Sequence, residues 1–108
     1  MKKSTPHPLL QPIVVNGHPV THVIIGRHYL EKHSRYMNDG VIVSLVMALD
    51  GKTFVPDSTT TGVEYFVSDI QIKSEDKNRT YRLIWIFEGD HLEIVGVVNA
   101  YRTKRRQK

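Results

Sequence analysis

The sequence contains no cysteine among its 108 residues. Disulfide bonds, thiolate metal sites and cysteine nucleophiles are therefore excluded, and the absence of thiols suits a reducing compartment such as the cytoplasm. No apolar run approaches the roughly 20 residues that a transmembrane helix requires. Pro6, Pro8 and Pro12 interrupt the stretch in which a signal peptide would need its apolar segment. We therefore expect a cytoplasmic protein that does not associate with a membrane.

Acidic residues are missing from both ends of the chain. All eleven Asp and Glu residues lie between Glu31 and Glu93, although the whole chain has a formal charge of +4. The basic character therefore belongs to the termini. A basic tail adds salt-dependent affinity for a phosphate backbone, and the alternative is a tail that is merely solvated. The candidate nucleic-acid-binding residues of this tail are Arg102, Lys104, Arg105 and Arg106.

A chain of this length forms one domain with a single core. We predict a flexible N-terminus over residues 1–10, a single domain over residues 11–102 and a basic C-terminal tail over residues 103–108.

The most regular pattern lies in residues 80–102, where two runs of β-branched and aromatic residues flank a polar loop. This pattern predicts an antiparallel hairpin. A four-residue loop over residues 88–91 would place Trp85 opposite Ile94 and Tyr81 opposite Val98. The residues predicted for the core are then Leu83, Trp85, Ile94 and Val98.

Other patterns predict the elements that precede this hairpin. Asn16 and Gly17 lie between apolar runs and suit the type I′ turn of an N-terminal hairpin. The apolar period changes to about 3.6 over residues 27–37, which indicates a helix. Residues 41–49 are apolar nearly all round and fit a buried helix or a central strand, but the cap residues before them favour a helix. We therefore expect an α+β fold, with an N-terminal β-hairpin and two helices packed on an antiparallel sheet of three or more strands.

Several kinds of catalytic site have no support in the sequence. There is no Gly-rich phosphate loop and no Gly-x-Ser-x-Gly motif, and the carboxylates do not form a recurring pair on one strand face. The closest histidines are His22, His28 and His33, but their spacing does not match the i, i+4 pair of a zinc-binding helix. We therefore expect neither a metal ion nor a cofactor.

The remaining candidates for chemistry are basic residues and a tyrosine. RNA cleavage without a metal needs a base for the 2′-hydroxyl, a cation for the phosphorane and an acid for the leaving oxygen. The candidate catalytic residues that offer these groups are His28, Lys32, Arg82 and Tyr101. The alternative interpretation is that the cations are ordinary surface residues and Tyr101 an aromatic at a strand end.

Four segments of the chain carry a resemblance to a known family. They are His28-Tyr-Leu-Glu-Lys32-His33, the apolar run 41–49 with Asp50-Gly51, Tyr81-Arg82-Leu-Ile-Trp, and Asn99-Ala-Tyr-Arg-Thr-Lys-Arg-Arg106. In this order they resemble the compact bacterial RNase toxins of the RelE and BrnT families and their small relatives of unknown function.

The resemblance implies a metal-independent endoribonuclease or RNA-binding protein of toxin–antitoxin type, with RNA and a cognate antitoxin as partners. It also implies that Arg82 and Arg102 bind phosphate, that His28 or Tyr101 acts as acid or base, and that Lys32 assists. The alternative is a non-catalytic protein-binding or inhibitor module of phage or mobile-element origin. An enzyme would gather His28, Arg82, Tyr101 and Arg102 in one cleft, whereas a binding module would leave them dispersed.

Overall fold

The structure, a computed structural model, describes residues 6–26, 37–74 and 77–103. These described ranges contain six strands, which form one sheet in the order β1-β2-β6-β5-β4-β3. Neighbouring strands are antiparallel except β2 and β6, which are parallel. The elements are β1 (His7–Val15), β2 (His18–Ile25), α1 (Asp39–Met47), β3 (Ser58–Thr60), β4 (Val63–Ser74), β5 (Lys77–Glu88) and β6 (Ile94–Thr103).

The expected α+β fold with two helices on an antiparallel sheet is wrong. Among the described residues there is one helix of nine residues, and the six-stranded sheet is mixed instead of purely antiparallel. The other predicted helix, over residues 27–37, lies outside the described residues except for Met37. The N-terminal hairpin is part of the main sheet because Val23 of β2 pairs in parallel with Val95 of β6. Such a long-range parallel pairing leaves no local signature in the sequence, unlike a tight hairpin turn.

The β1–β2 hairpin turns where the sequence predicts it. Asn16 and Gly17 have φ values of 53° and 79°, as a type I′ turn requires. The strand begins at His7, before the predicted domain boundary at residue 11. The segment after α1 closes the outer edge of β1, because Val14 donates to Asp50 at 2.8 Å and accepts from the Gly51 N–H at 2.7 Å.

Helix α1 confirms the helical interpretation of the apolar run. Asn38 caps it by accepting a hydrogen bond from the Val41 N–H at 2.9 Å. Ile42, Leu45 and Val46 are buried. The helix therefore covers one face of the sheet, which we call the core face. Within the described ranges, no helix combines the length and the apolar composition needed to cross a membrane.

The predicted β5–β6 hairpin is present, but its register is different. Glu88 pairs with Ile94, and Trp85 therefore pairs with Val97 instead of Ile94. A bulge then adds one residue to β6, so that Ile84 pairs with Asn99. Since such shifts move side chains to the other face of a strand, two of the four predicted core residues are not in the core.

Leu83 and Trp85 are fully buried, as predicted, whereas Ile94 is half-buried and Val98 remains 36% exposed. The β6 residues that reach the core in their place are Val95, Val97 and Ala100.

The centre of the core is the only tryptophan of the chain. The Trp85 indole stacks on the Phe66 ring with a centroid distance of 4.4 Å, and its N–H donates to the Ser68 hydroxyl at 3.0 Å. Ser68 is itself only 6% exposed. This hydrogen bond satisfies both buried polar groups and joins β4 to β5 on the core face.

Candidate functional site

Side chains alternate between the two faces of each strand. On β5, Leu83 and Trp85 point into the core, so Arg82 lies on the opposite face, which we call the outer face. Asp69 of β4 and Tyr101 of β6 are the direct cross-strand partners of Arg82. These three residues form one line across three central strands, which we call the Arg82 row.

The ion pair in the Arg82 row is bidentate. Arg82 Nε lies 2.8 Å from Asp69 Oδ1, and Nη2 lies 2.9 Å from Oδ2. The Arg82 side chain is 38% exposed and the Asp69 side chain is 45% exposed. The hydrogen bond from Arg82 lowers the pKa of Asp69, and the same bond is the main reason why the pKa of Arg82 is raised. Both groups are therefore charged at neutral pH, and their planar geometry fixes the direction of the guanidinium.

The third member of the Arg82 row contacts the guanidinium from the other side. A hydrogen bond from Arg82 to the Tyr101 side chain contributes to the raised pKa of Arg82. Tyr101 is half-buried, in line with its place near the end of β6. A phenol is thus held next to a fixed cation on an accessible face of the sheet. This pair can bind an anion and exchange a proton with it.

The other predicted site residues do not join this pair within the described part of the chain. Arg102 pairs with Tyr81, which is only 9% exposed and points to the core face. Arg102 therefore lies on the face opposite to Arg82 and Tyr101. His28 and Lys32 of the predicted catalytic set, and Lys104, Arg105 and Arg106 of the predicted tail set, lie outside the described residues.

The described residues also contain no group of three or more potential His, Cys, Asp or Glu metal ligands.

Sequence reasoning missed Asp69. No sequence pattern locates it, because its position opposite Arg82 depends on the β4–β5 register, in which Ser74 pairs directly with Lys77. Counting back from that pair places Asp69 opposite Arg82.

Comparison with protein-family models, with curated proteins and with solved structures yields no match. Any function proposed for this chain therefore rests on its own residues and on the geometry of their side chains.

Proposed function

We propose that this chain is an RNA-binding protein of toxin type that cleaves RNA without a metal ion at the Arg82 row. The observation that supports the proposal is the direct pairing of Arg82 with Tyr101 on an accessible sheet face. It unites a cation for phosphate with a group that can transfer a proton. These are two of the three functions that metal-free cleavage requires.

Arg82 is suited to hold a phosphate group. A guanidinium binds phosphate oxygens through parallel N–H groups, and it has further N–H groups besides the two that Asp69 accepts. Asp69 offsets part of the positive charge, but it also orients the guanidinium before substrate arrives. A cation held in place where charge develops lowers the barrier more than a mobile one does.

Tyr101 is suited to protonate the leaving oxygen. In the proposed reaction the 2′-oxygen attacks the neighbouring phosphorus, the bond from phosphorus to the 5′-oxygen breaks, and a 2′,3′-cyclic phosphate forms. The proton of the 2′-hydroxyl goes to a base, and the 5′-oxygen receives one from Tyr101. Arg82 stabilises the resulting phenolate because its positive charge lies beside it. His28 stays the proposed base, and it lies outside the described residues.

The basic tail supports binding of the same substrate. Strand β6 ends at Thr103, two residues beyond Tyr101, and the sequence continues directly with Lys104, Arg105 and Arg106. The tail therefore begins three residues after Tyr101 of the Arg82 row in the sequence. Its contribution to RNA affinity would come mainly from counterion release and would be independent of sequence.

The test is cleavage of an end-labelled single-stranded RNA by the purified protein, with and without EDTA. We expect wild-type cleavage in both conditions and a loss of about 100- to 1000-fold in Arg82→Ala, the range for removal of one well-placed donor to a transition state. Tyr101→Phe should also lose cleavage, because it keeps the ring and removes the proton.

The matched control for this test is Arg79→Ala. Arg79 lies on the same strand as Arg82 and pairs with Ile72, and strand alternation places it on the core face beside Tyr81. This variant should retain cleavage. The proposal fails if the wild-type protein neither cleaves RNA nor slows growth when its expression is induced. It also fails if Arg79→Ala is as inactive as Arg82→Ala.

A further inference from the structure

A cleft lies at the far end of the sheet from Thr103, the last residue of β6. It has a volume of about 360 Å³, which falls within the usual size of ligand sites. It opens between the β3–β4 hairpin and the loop that joins β5 to β6. Its lining residues are Thr59, Gly62, Val63, Glu64, Phe66, Phe87 and Leu92.

The apolar part of the cleft is formed by two aromatic rings that belong to the core. Phe66 stacks on Trp85, and Phe87 meets the Trp85 ring edge-on at a centroid distance of 5.2 Å. His18 supports Phe87 from the other side at 5.3 Å. Because these rings are fixed by their neighbours, the cleft is preformed and needs little ordering to accept an apolar side chain.

Leu92 forms one wall of the cleft in an unusual backbone conformation. Its φ is 58°, in the left-handed region that a leucine rarely adopts, and its N–H donates to the Gly89 carbonyl at 3.2 Å. Leu92 is nevertheless 36% exposed, so burial does not fully account for an apolar residue there. An exposed leucine beside two aromatic rings forms an apolar surface, and a ligand that covers it removes this surface from water, which is favourable.

Of the residues that line the cleft, the charged one is acidic. Residues 53–72 and 83–101 contain no Lys or Arg, whereas Glu64 lines the cleft and further acids occupy the adjoining loops. One of these, Glu93, accepts a hydrogen bond from the His91 N–H at 3.0 Å, and its own N–H and that of His91 lower its pKa. The acids at this end are Asp57, Glu64, Glu88, Asp90 and Glu93. A ligand that complements this end carries positive charge beside an apolar group.

Within the described ranges, the outer edge of β3 has no strand partner, and this edge borders the same cleft. β3 is the last strand in the sheet order, and all three of its residues are exposed. Thr59 belongs to β3 and lines the cleft, so main-chain groups and the apolar surface lie side by side. An edge strand next to a pocket is the arrangement by which a sheet accepts an extended peptide.

From these features we infer that the cleft is a second binding site, for an extended segment of a partner protein in which an apolar side chain is flanked by Lys or Arg. The segment adds to the edge of β3, inserts its apolar side chain between Phe66, Phe87 and Leu92, and places a cation next to Glu64. The tail of another copy of this chain does not fit, because residues 103–108 provide bases but no apolar side chain. The site is separate from the Arg82 row and does not depend on RNA cleavage.

The test is an NMR titration of the isotope-labelled protein with the blocked peptide acetyl-Lys-Thr-Leu-Thr-Lys-amide. In an extended peptide its two lysines and its leucine point to the same side. We expect saturable shifts of the amide signals of Thr59, Glu64, Phe87 and Leu92. The peptides acetyl-Glu-Thr-Leu-Thr-Glu-amide and acetyl-Lys-Thr-Ala-Thr-Lys-amide should each bind about tenfold more weakly or worse.

Variants of the protein assign the contacts. Glu64→Gln should weaken binding of the lysine peptide by about two- to fivefold, the range for loss of one exposed ion pair. Glu88→Gln is the matched control, because its carboxylate lies over Gly96 on the outer face and not in the cleft. Leu92→Gly removes the leucine wall of the cleft, so the affinity for the lysine peptide should fall at least about threefold. The protein should stay folded, because glycine readily adopts the positive φ of this position.

Four results would overturn the inference. The first is the absence of saturable shifts at the cleft, and the second is equal affinity for the lysine and glutamate peptides. The third is binding of free phenethylammonium as tightly as the peptide, which would make the cleft a small-cation site. A change that is the same in Glu64→Gln and Glu88→Gln would also exclude the proposed contact.

Discussion

The hydrogen bond between Trp85 and Ser68 allows a quantitative test of the core. Trp85 is 0% exposed, Ser68 is 6% exposed, and the N–H to hydroxyl distance is 3.0 Å. Trp85→Phe keeps a ring in the stack with Phe66 but removes the donor. The Ser68 hydroxyl is then buried without this partner, at a cost of about 1–3 kcal/mol, and the smaller ring leaves a cavity that adds roughly 1 kcal/mol. We therefore expect Trp85→Phe to lower the free energy of unfolding by about 2–4 kcal/mol.

The complementary changes separate the hydrogen bond from the packing. Ser68→Ala leaves the indole N–H unsatisfied and should cost about 1–3 kcal/mol. The double variant removes both polar groups together, so its loss should be smaller than the sum of the single losses by about 1–2 kcal/mol. The assay is urea unfolding followed by far-UV circular dichroism, because Trp85 is the only tryptophan and its fluorescence disappears in two variants. Additive losses would refute the buried hydrogen bond and the β4–β5 register on which it depends.

Two further predictions concern charge. Asp69→Asn should cost less than about 1 kcal/mol at pH 7, because the ion pair with Arg82 is more than a third exposed on both sides. Since folding lowers the pKa of Asp69 below its ordinary value of 3.8, this contribution is present above that pH and is lost as the pH falls through the folded pKa. Urea unfolding of the wild type and Asp69→Asn between neutral and acidic pH measures this contribution. A difference in their free energies of unfolding that persists unchanged in acid would contradict it. Deletion of residues 104–108 should leave the thermal melting temperature nearly unchanged while making the salt dependence of RNA binding shallower by about three units of slope. Fluorescence anisotropy across a salt series checks this, and a full-length protein with no salt-dependent RNA binding would refute it.

Local patterns in the sequence predicted the elements that depend on near neighbours. The β-branched runs around Gly89 predicted a hairpin, Asn16 and Gly17 predicted a turn, and Asn38 favoured the helix that follows it. Each of these features is decided by the backbone preferences of a few adjacent residues. Tyr101 and Arg82 were selected as candidates from their residue types, before any geometry placed them side by side, and their role stays a prediction.

Only the tertiary structure decided which strands and side chains meet. The parallel pairing of β2 with β6 joins segments about 70 residues apart in the sequence, as in Val23 with Val95, and no local signal specifies it. The bulge near Val98 moves Tyr101 opposite Arg82, and the β4–β5 register, in which Ser74 pairs with Lys77, places Asp69 opposite the same residue. Side chains alternate between the two faces of a strand, so one inserted residue moves every side chain after it to the opposite face. The position of the Arg82 row is therefore a property of register, which depends on the packing of the whole sheet.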